Sequence, residues 1–262
     1  LASGDSTEVE AFISDIESLK KTRVVEENPK DLSIYGLNPP YLKIYFKFEN
    51  KNEETLLVGN ETPLGGSLYF KRESHPSVMM AVSSLSNFEK SVYSFRDKTL
   101  LNFTTGSIKR IQILRGGNPL EFKRTGETWE VSGDLRARGD KDAITNFLQS
   151  IQFSQAQEFI NENPDSLKPY GLNPPKLKLI LENDKTHILT LGNRKEGKGY
   201  FGRVGDSKNI VLVDTRLVEI LSKKTVEFLD KTLLEFDEKE ILELALRSES
   251  GTIRVVHGEK NS

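Results

Sequence analysis

The stretch NPKDLSIYGLNPP at residues 28–40 returns as NPDSLKPYGLNPP at 163–175, and this recurrence organises the rest of the chain. Asn28 can accept a hydrogen bond from the free amides of a first helical turn, and Pro29 suits a first helical position, where its missing N–H costs nothing. A short helix is therefore expected to begin here. Gly36 supplies the left-handed conformation that ends such a turn, with Leu37 placed to fold back onto Leu32 in a Schellman-like closure. Pro39 and Pro40 exclude further helix and deliver the chain, extended, into Leu42, Ile44, Phe46 and Phe48 at strand spacing. The motif reads as a corner between helix and sheet. Tyr35 and Tyr170, beside the two corners, read as packing rings rather than as ligand-stacking ones.

Working outward, Val9, Phe12, Ile13, Ile16 and Leu19 form one helical stripe that Asp5 or Ser6 can cap. The stripe recurs as Ile144, Phe147, Leu148 and Ile151 behind Asp140, each member 135 positions from its counterpart. After Pro40 the alternation LKIYFKF sets Lys43, Tyr45 and Lys47 opposite the apolar face, as in a half-solvated antiparallel strand. Its counterpart carries Leu177, Leu179 and Leu181. Further strands are expected at 55–58 ending at Gly59, at 67–71 and at 77–82. In the second copy they fall at 188–191 ending at Gly192, at 200–204 and at 210–213.

A second helix, started by Ser83 or Ser84, carries Leu85, Phe88, Val92 and Phe95; in the second copy Asp214 caps one with Leu217, Val218, Leu221 and Phe228. FRDKTLLNF at 95–103 then matches FLDKTLLEF at 228–236, now 133 positions on. Three strands follow at 108–114, 120–124 and 128–131, where Trp129 brings the largest apolar side chain. The second copy repeats this at 241–246 and 253–256 and stops before an equivalent of Trp129.

The fold class expected is therefore α+β: two tandem copies of a unit made of a helix, a meander of about four antiparallel strands, a second helix and a further β hairpin. The boundaries expected are 1–135 and 136–262. The alternative phase gives 1–107 and 108–240 with a C-terminal hairpin at 241–262. Strands of one unit can also complete the sheet of its neighbour, since an unpaired edge invites pairing.

A length of 262 residues accommodates two ordinary domains. Lys plus Arg number 37 against 39 Asp plus Glu, with neither sign massed at one end, so the electrostatic footprint of a nucleic-acid or anionic-membrane binder is absent. Without cysteine there is neither a disulfide framework nor thiolate chemistry, and either redox compartment is permitted. No apolar run reaches the ~18 residues of a membrane span, and LASGDSTEVE at the start reads as neither signal peptide nor anchor. Direct membrane insertion by this stretch is not expected. Because the chain opens on Leu1 and not on Met, a processed or excised fragment is expected.

The motifs that could carry chemistry are few. Gly197, Gly199 and Gly202 spell G-x-G-x-x-G, but a strand pattern follows where a dinucleotide loop would open a helix, so they read as a hairpin turn. Arg138, Gly139 and Asp140 form an adhesion-like tripeptide in the place of Ser3, Gly4 and Asp5, and both read as turns into capped helices. His75, His187 and His257 lie at three different places in the unit with no i, i+4 partner, which gives no zinc pattern. No G-x-S-x-G elbow is present. Asp97 with Lys98 and Asp230 with Lys231 are the best polar candidates for an acid/base pair. Adjacent side chains after a helix more often serve the backbone and the helix's negative end. The sequons at Asn60 and Asn102 are glycosylation sites in form only, and Lys20–Lys21 and Lys223–Lys224 read as solvated helix ends. No catalytic, cofactor-binding or metal-binding residues and no cofactor are expected.

The two corner motifs, the hairpins around Tyr69 and Tyr200, NIVLVDTRLVEIL at 209–221, and the FRDKTLLNF and FLDKTLLEF stretches together resemble the bacterial domain of unknown function 4340 family. The resemblance covers nearly the whole chain, twice. It implies an extracytoplasmic region behind one N-terminal membrane helix, often encoded beside an ABC-type transporter and its gliding-motility-associated auxiliary subunit. This chain departs in carrying no membrane segment, and the family offers no catalytic residues to carry over. The function expected is a non-enzymatic, periplasmic binding or scaffold region accessory to such a transporter or to an envelope complex. The alternatives are an envelope-polymer hydrolase or transferase using Asp97 or Asp230, and a small-ligand or lipid-binding module at the junction of the units.

Overall fold

Alternating apolar residues and Gly-rich turns give an α+β chain of mostly antiparallel sheets with few helices, seen in a computed structural model that describes residues 3–256. By compactness the chain divides into residues 1–99 with 156–159, and residues 100–155 with 160–262. This division follows packing, whereas the expected boundaries follow the repetition of sequence.

The first unit opens with α1 (Ser6–Glu17), capped by Asp5, whose carboxylate accepts from the amides of Thr7 and Glu8. Next come β1 (Lys21–Glu26), a 3-10 turn (Ser33–Tyr35), β2 (Leu42–Lys47), β3 (Glu53–Glu61), β4 (Ser67–Arg72) and β5 (Val78–Val82). The four expected strands form a meander, and β1 adds to it beside β5, giving the order β1-β5-β4-β3-β2 with β2 at one edge. Its core gathers Val58, Leu68, Phe70, Ala81 and Phe88, against which Phe12 and Ile16 of α1 and Leu19 just beyond its end pack.

The second helix of this copy is broken where one continuous helix was expected. A 3-10 turn (Leu85–Asn87) and a four-residue α2 (Val92–Phe95) replace it. Ser84 accepts from the Ser86 amide, and Ser91 and Ser94 exchange side-chain-to-backbone bonds in a capping box, so local serine bonds compete with the helical ladder. In the second copy TRLVEIL at 215–221 lacks such residues and forms a continuous helix.

The second unit carries β6 (Arg110–Leu114), β7 (Leu120–Thr125), β8 (Thr128–Ser132), β9 (Arg136–Gly139) and α3 (Lys141–Gln152). Then follow β10 (Ala156–Asn161), β11 (Leu177–Glu182), β12 (Thr186–Lys195), β13 (Gly199–Val204), β14 (Ile210–Val213), α4 (Thr215–Leu221), β15 (Glu243–Ser248) and β16 (Gly251–Val256). Nine strands join in the order β10-β14-β13-β12-β11-β6-β7-β8-β9, and the first four residues of β10 group with the first unit. The junction is β6 against β11, antiparallel, with Ile113 opposite Leu179 and Ile111 opposite Leu181. The hairpin β6–β7 thus continues the sheet of β11 to β14. Phe122 of β7, Phe147 of α3 and Phe228 form an aromatic triangle with centroids 4.9–5.9 Å apart. Asp140 and Asp214 cap α3 and α4 as expected. Phe228, expected on the α4 helix, lies in a separate 3-10 turn (Thr225–Phe228).

Candidate functional site

The corner is built differently at its start than expected. Neither Asn28 nor Pro29 opens a helix. The 3-10 turn starts after Leu32, and Asp31 holds it by accepting from the Ser33 amide at 2.8 Å and the Ser33 hydroxyl at 2.6 Å. These bonds hold the Asp31 carboxyl below the usual carboxylate range. The close is as expected. Gly36 lies at φ +63°, its amide donates to Ser33 and that of Leu37 to Leu32, and Gly171 (φ +67°) and Leu172 repeat both bonds to Lys168 and Leu167. The Asn38–Pro39 and Asn173–Pro174 peptides are both cis.

Strand β3 runs on through Gly59, and β12 through Gly192, where each strand was expected to end. A bulge at each point lets the strand continue. A Cβ at Gly59 would stand 2.2 Å from the Tyr35 carbonyl oxygen, and one at Gly192 would stand 2.1 Å from that of Tyr170. The following residues, Asn60 and Asn193, press their side chains against Gly36 and Gly171. The corner therefore sits directly on the bulged strand in both copies.

The tyrosines complete it. The Tyr35 hydroxyl donates to Glu26 at 2.6 Å, and the Tyr170 hydroxyl accepts from Asn161 Nδ2 at 3.1 Å. The Glu26 hydrogen bond, then burial, pushes the Tyr35 phenol up to about 12. Tyr35 stacks edge-on to Tyr69 at 5.0 Å and Tyr170 to Phe201 at 5.2 Å, so Tyr69 corresponds in space to Phe201 and not to Tyr200.

A second recurrent arrangement contains the sequence's acid/base candidates. The amide of Asp5 donates to Phe95 O and that of Asp97 to Ser3 O; in the second copy Asp140 donates to Phe228 O and Asp230 to Arg138 O. The stretches ending in Gly-Asp are thus zipped to the Phe-x-Asp stretches, which explains the adhesion-like tripeptide as architecture. Asp97 and Asp230 each fold back to accept from the amide two residues on, Thr99 and Thr232, at 2.9 Å. Lys98 turns elsewhere, donating to Ser94 O at 3.0 Å with its ammonium 5.0 Å from the Tyr93 ring centroid.

Asp230 also meets Arg138 at 3.2 Å and lines a shallow cavity of about 310 Å³ with Trp129, Arg138, Lys141 and Glu127. Arg138 reaches Glu235 at 2.8 Å, and Lys141 reaches Glu127 at 2.6 Å. The bonds to Thr232, with the Arg138 charge, hold Asp230 below the usual range, and Lys141 does the same to Glu127. A general base works best with a pKa near the operating pH, and both carboxylates are shifted away from it. The arrangement binds backbone and neutralises charge.

The remaining candidates are placed as follows. Gly197 lies at φ +69° in the turn before β13, and no helix opens after it. The His75 ring accepts from the Ser77 amide at 3.3 Å, His187 packs 6.0 Å from the Phe103 ring, and His257 lies outside the described residues. Among the described residues no group of three or more His, Cys, Asp or Glu side chains is arranged to hold a metal, and no helix is long and apolar enough to cross a membrane. The Gly59 contact escaped sequence reasoning, although Gly-Asn recurring at 59–60 and 192–193 was its signal.

The fold and these contacts define an antiparallel α+β protein whose recurrent polar residues serve corners and turns. The chain belongs to the family described as Domain of unknown function (DUF4340), whose model matches residues 2–160 and 129–262. Two overlapping matches are what a repeated unit would give. No curated protein and no solved structure significantly matches the chain.

Proposed function

We propose that the chain is two tandem copies of one unit and serves as a non-enzymatic binding or scaffold region. In this reading it stands at the extracytoplasmic, periplasmic face of the bacterial inner membrane, anchored by a segment outside this stretch, as an accessory to an ABC-type transporter or envelope complex. The observation that carries the non-enzymatic part is the common fate of Asp5 and Asp140, Asp97 and Asp230, and Tyr35 and Tyr170. Each pair is engaged in capping, turn or corner bonds. The location and partner rest on the family resemblance.

The test is to solubilise the full-length protein from its own membranes, cross-linked, and identify what comes with it. Enrichment of an ABC-type subunit or its auxiliary protein is the expected result. Recovery of the protein alone, or its absence from the membrane fraction, would contradict the reading.

A further inference from the structure

The hairpin β15–β16 is a two-stranded sheet by itself, and every residue of both strands is exposed. Leu244 pairs with Val255 and Leu246 with Ile253, which places all four on one face, at 53–63% exposure. A lone hairpin is at best marginally stable in water, and an apolar face with a free edge is a template for pairing.

The chain holds the same hairpin in a covered setting, 133 positions earlier. In β6–β7 the corresponding residues Ile111, Ile113, Leu120 and Phe122 are at most 2% exposed. There β6 adds to the edge of β11, and Phe122 packs on Phe147 of α3 and on Phe228.

The first-unit counterparts of β11 and α3 are β2 and α1, and both present open faces. β2 ends its sheet, and its Ile44 and Phe46 are half-buried where Leu179 and Leu181 are fully buried. Val9 and Ile13 of α1 are 36% and 45% exposed, whereas their counterparts Ile144 and Leu148 are buried. Phe12 and Phe95 nevertheless meet edge-on at 5.2 Å, just as Phe147 and Phe228 do at 5.1 Å.

Charge identifies the occupant. In the covered junction Arg110 stands opposite Glu182, 3.5 Å away, and is hydrogen-bonded to Glu121. The corresponding residues are Glu243, Lys47 and Arg254, with every sign reversed. Glu243 already holds Arg254 at 2.6 Å, and the Lys47 side chain, 75% exposed, lies 3.5 Å from the similarly solvated Glu53. Reversal at all three positions preserves the cross-strand attraction when Lys47 meets Glu243. One neighbour is unfavourable: Arg247 would face Lys43, whose ammonium lies 3.9 Å from Glu73.

We propose that hairpin β15–β16 of one chain adds to strand β2 of a second copy and covers its α1, repeating the β6–β11 junction between molecules. Donor and acceptor faces differ, so the contact is head-to-tail and can continue from copy to copy. The inference rests on the equivalence of the two copies and not on the envelope role. Loss of that equivalence would show in amide exchange at β6 and β11, which failure of assembly alone leaves intact.

The test is sedimentation velocity of the 262-residue chain over a concentration series, beside three variants whose thermal unfolding is matched to the parent. Concentration-dependent growth is expected. Lys47→Glu, which sets two carboxylates against each other, should weaken it about tenfold or more. The triple variant Lys47→Glu, Glu243→Lys, Arg254→Glu should recover it. A single species at every concentration, or failure of the triple variant to recover assembly, would overturn the proposal. So would assembly that Leu246→Asp removes and Lys47→Glu leaves unchanged, because the hairpins would then be meeting one another.

Discussion

Gly59 and Gly192 are the positions at which a single added carbon does most harm. Each would drive a Cβ to within 2.2 Å of a tyrosine carbonyl oxygen in the corner, a backbone atom that cannot move aside. Gly59→Ala should therefore lower unfolding free energy in urea by about 3 kcal/mol, as overpacking against rigid backbone does. Gly106→Ala, with nothing within 4 Å of the new carbon, should stay within about 0.5 kcal/mol. Tyr35 gives a pH-dependent counterpart. Its phenol is raised from 10.0 to about 12 by the Glu26 hydrogen bond and burial. The folded state thus favours the neutral ring, and this stabilisation is complete below the unfolded-state value and lost as the pH rises through the folded one. The difference in unfolding free energy between the parent and Tyr35→Phe should be constant over roughly pH 7–9 and shrink above about 10. A difference that grew with pH would show that the Glu26 bond favours the phenolate. Caps and the Gly36 turn were legible at this scale because their partners lie within a few residues. Asn28 misled because Asp31, three residues on, is the acceptor that Ser33 uses.

Among the elements, helices α1 and α3 were legible because a period of 3.6 residues shows without knowing what covers the stripe. How deeply each stripe is covered did not show. α3 buries Ile144, Phe147, Leu148 and Ile151, while α1, with the same pattern, buries none of its residues fully. Phe147→Ala should accordingly cost about 3–5 kcal/mol in chemical denaturation, and Phe12→Ala clearly less. Equal losses would mean that α1 is covered as α3 is. Strands β1, β9 and β10 were missed for a related reason. KTRVVE, RARG and AQEFIN carry no clean alternation, and they become strands through their partners: β5, far along the chain, for β1, the adjacent β8 for β9, and β14 for β10. The broken second helix was misread because its apolar spacing is helical while its serines favour local bonds.

At the scale of the molecule, one junction stands out: the hairpin β6–β7 laid against β11, the first strand after the second Tyr-Gly-Leu corner. Sequence reasoning allowed strands of one unit to complete the sheet of its neighbour, since an unpaired edge invites pairing. It left the phase of the repeat open, because the β6–β11 junction is a long-range pairing that no local pattern encodes. No chemistry was legible beyond the acid/base candidates, and the structure gives those carboxylates backbone and ion-pair partners. That junction makes β2 and β11, alike in sequence pattern, unlike in setting: β11 is paired on both sides and β2 on one.

Residue-resolved amide hydrogen exchange on a dilute sample reads this difference directly. Slow exchange throughout Leu177–Glu182, with slow and fast amides alternating along Leu42–Lys47, is the result expected of one enclosed and one free strand. The same pattern of protection in both strands would contradict it.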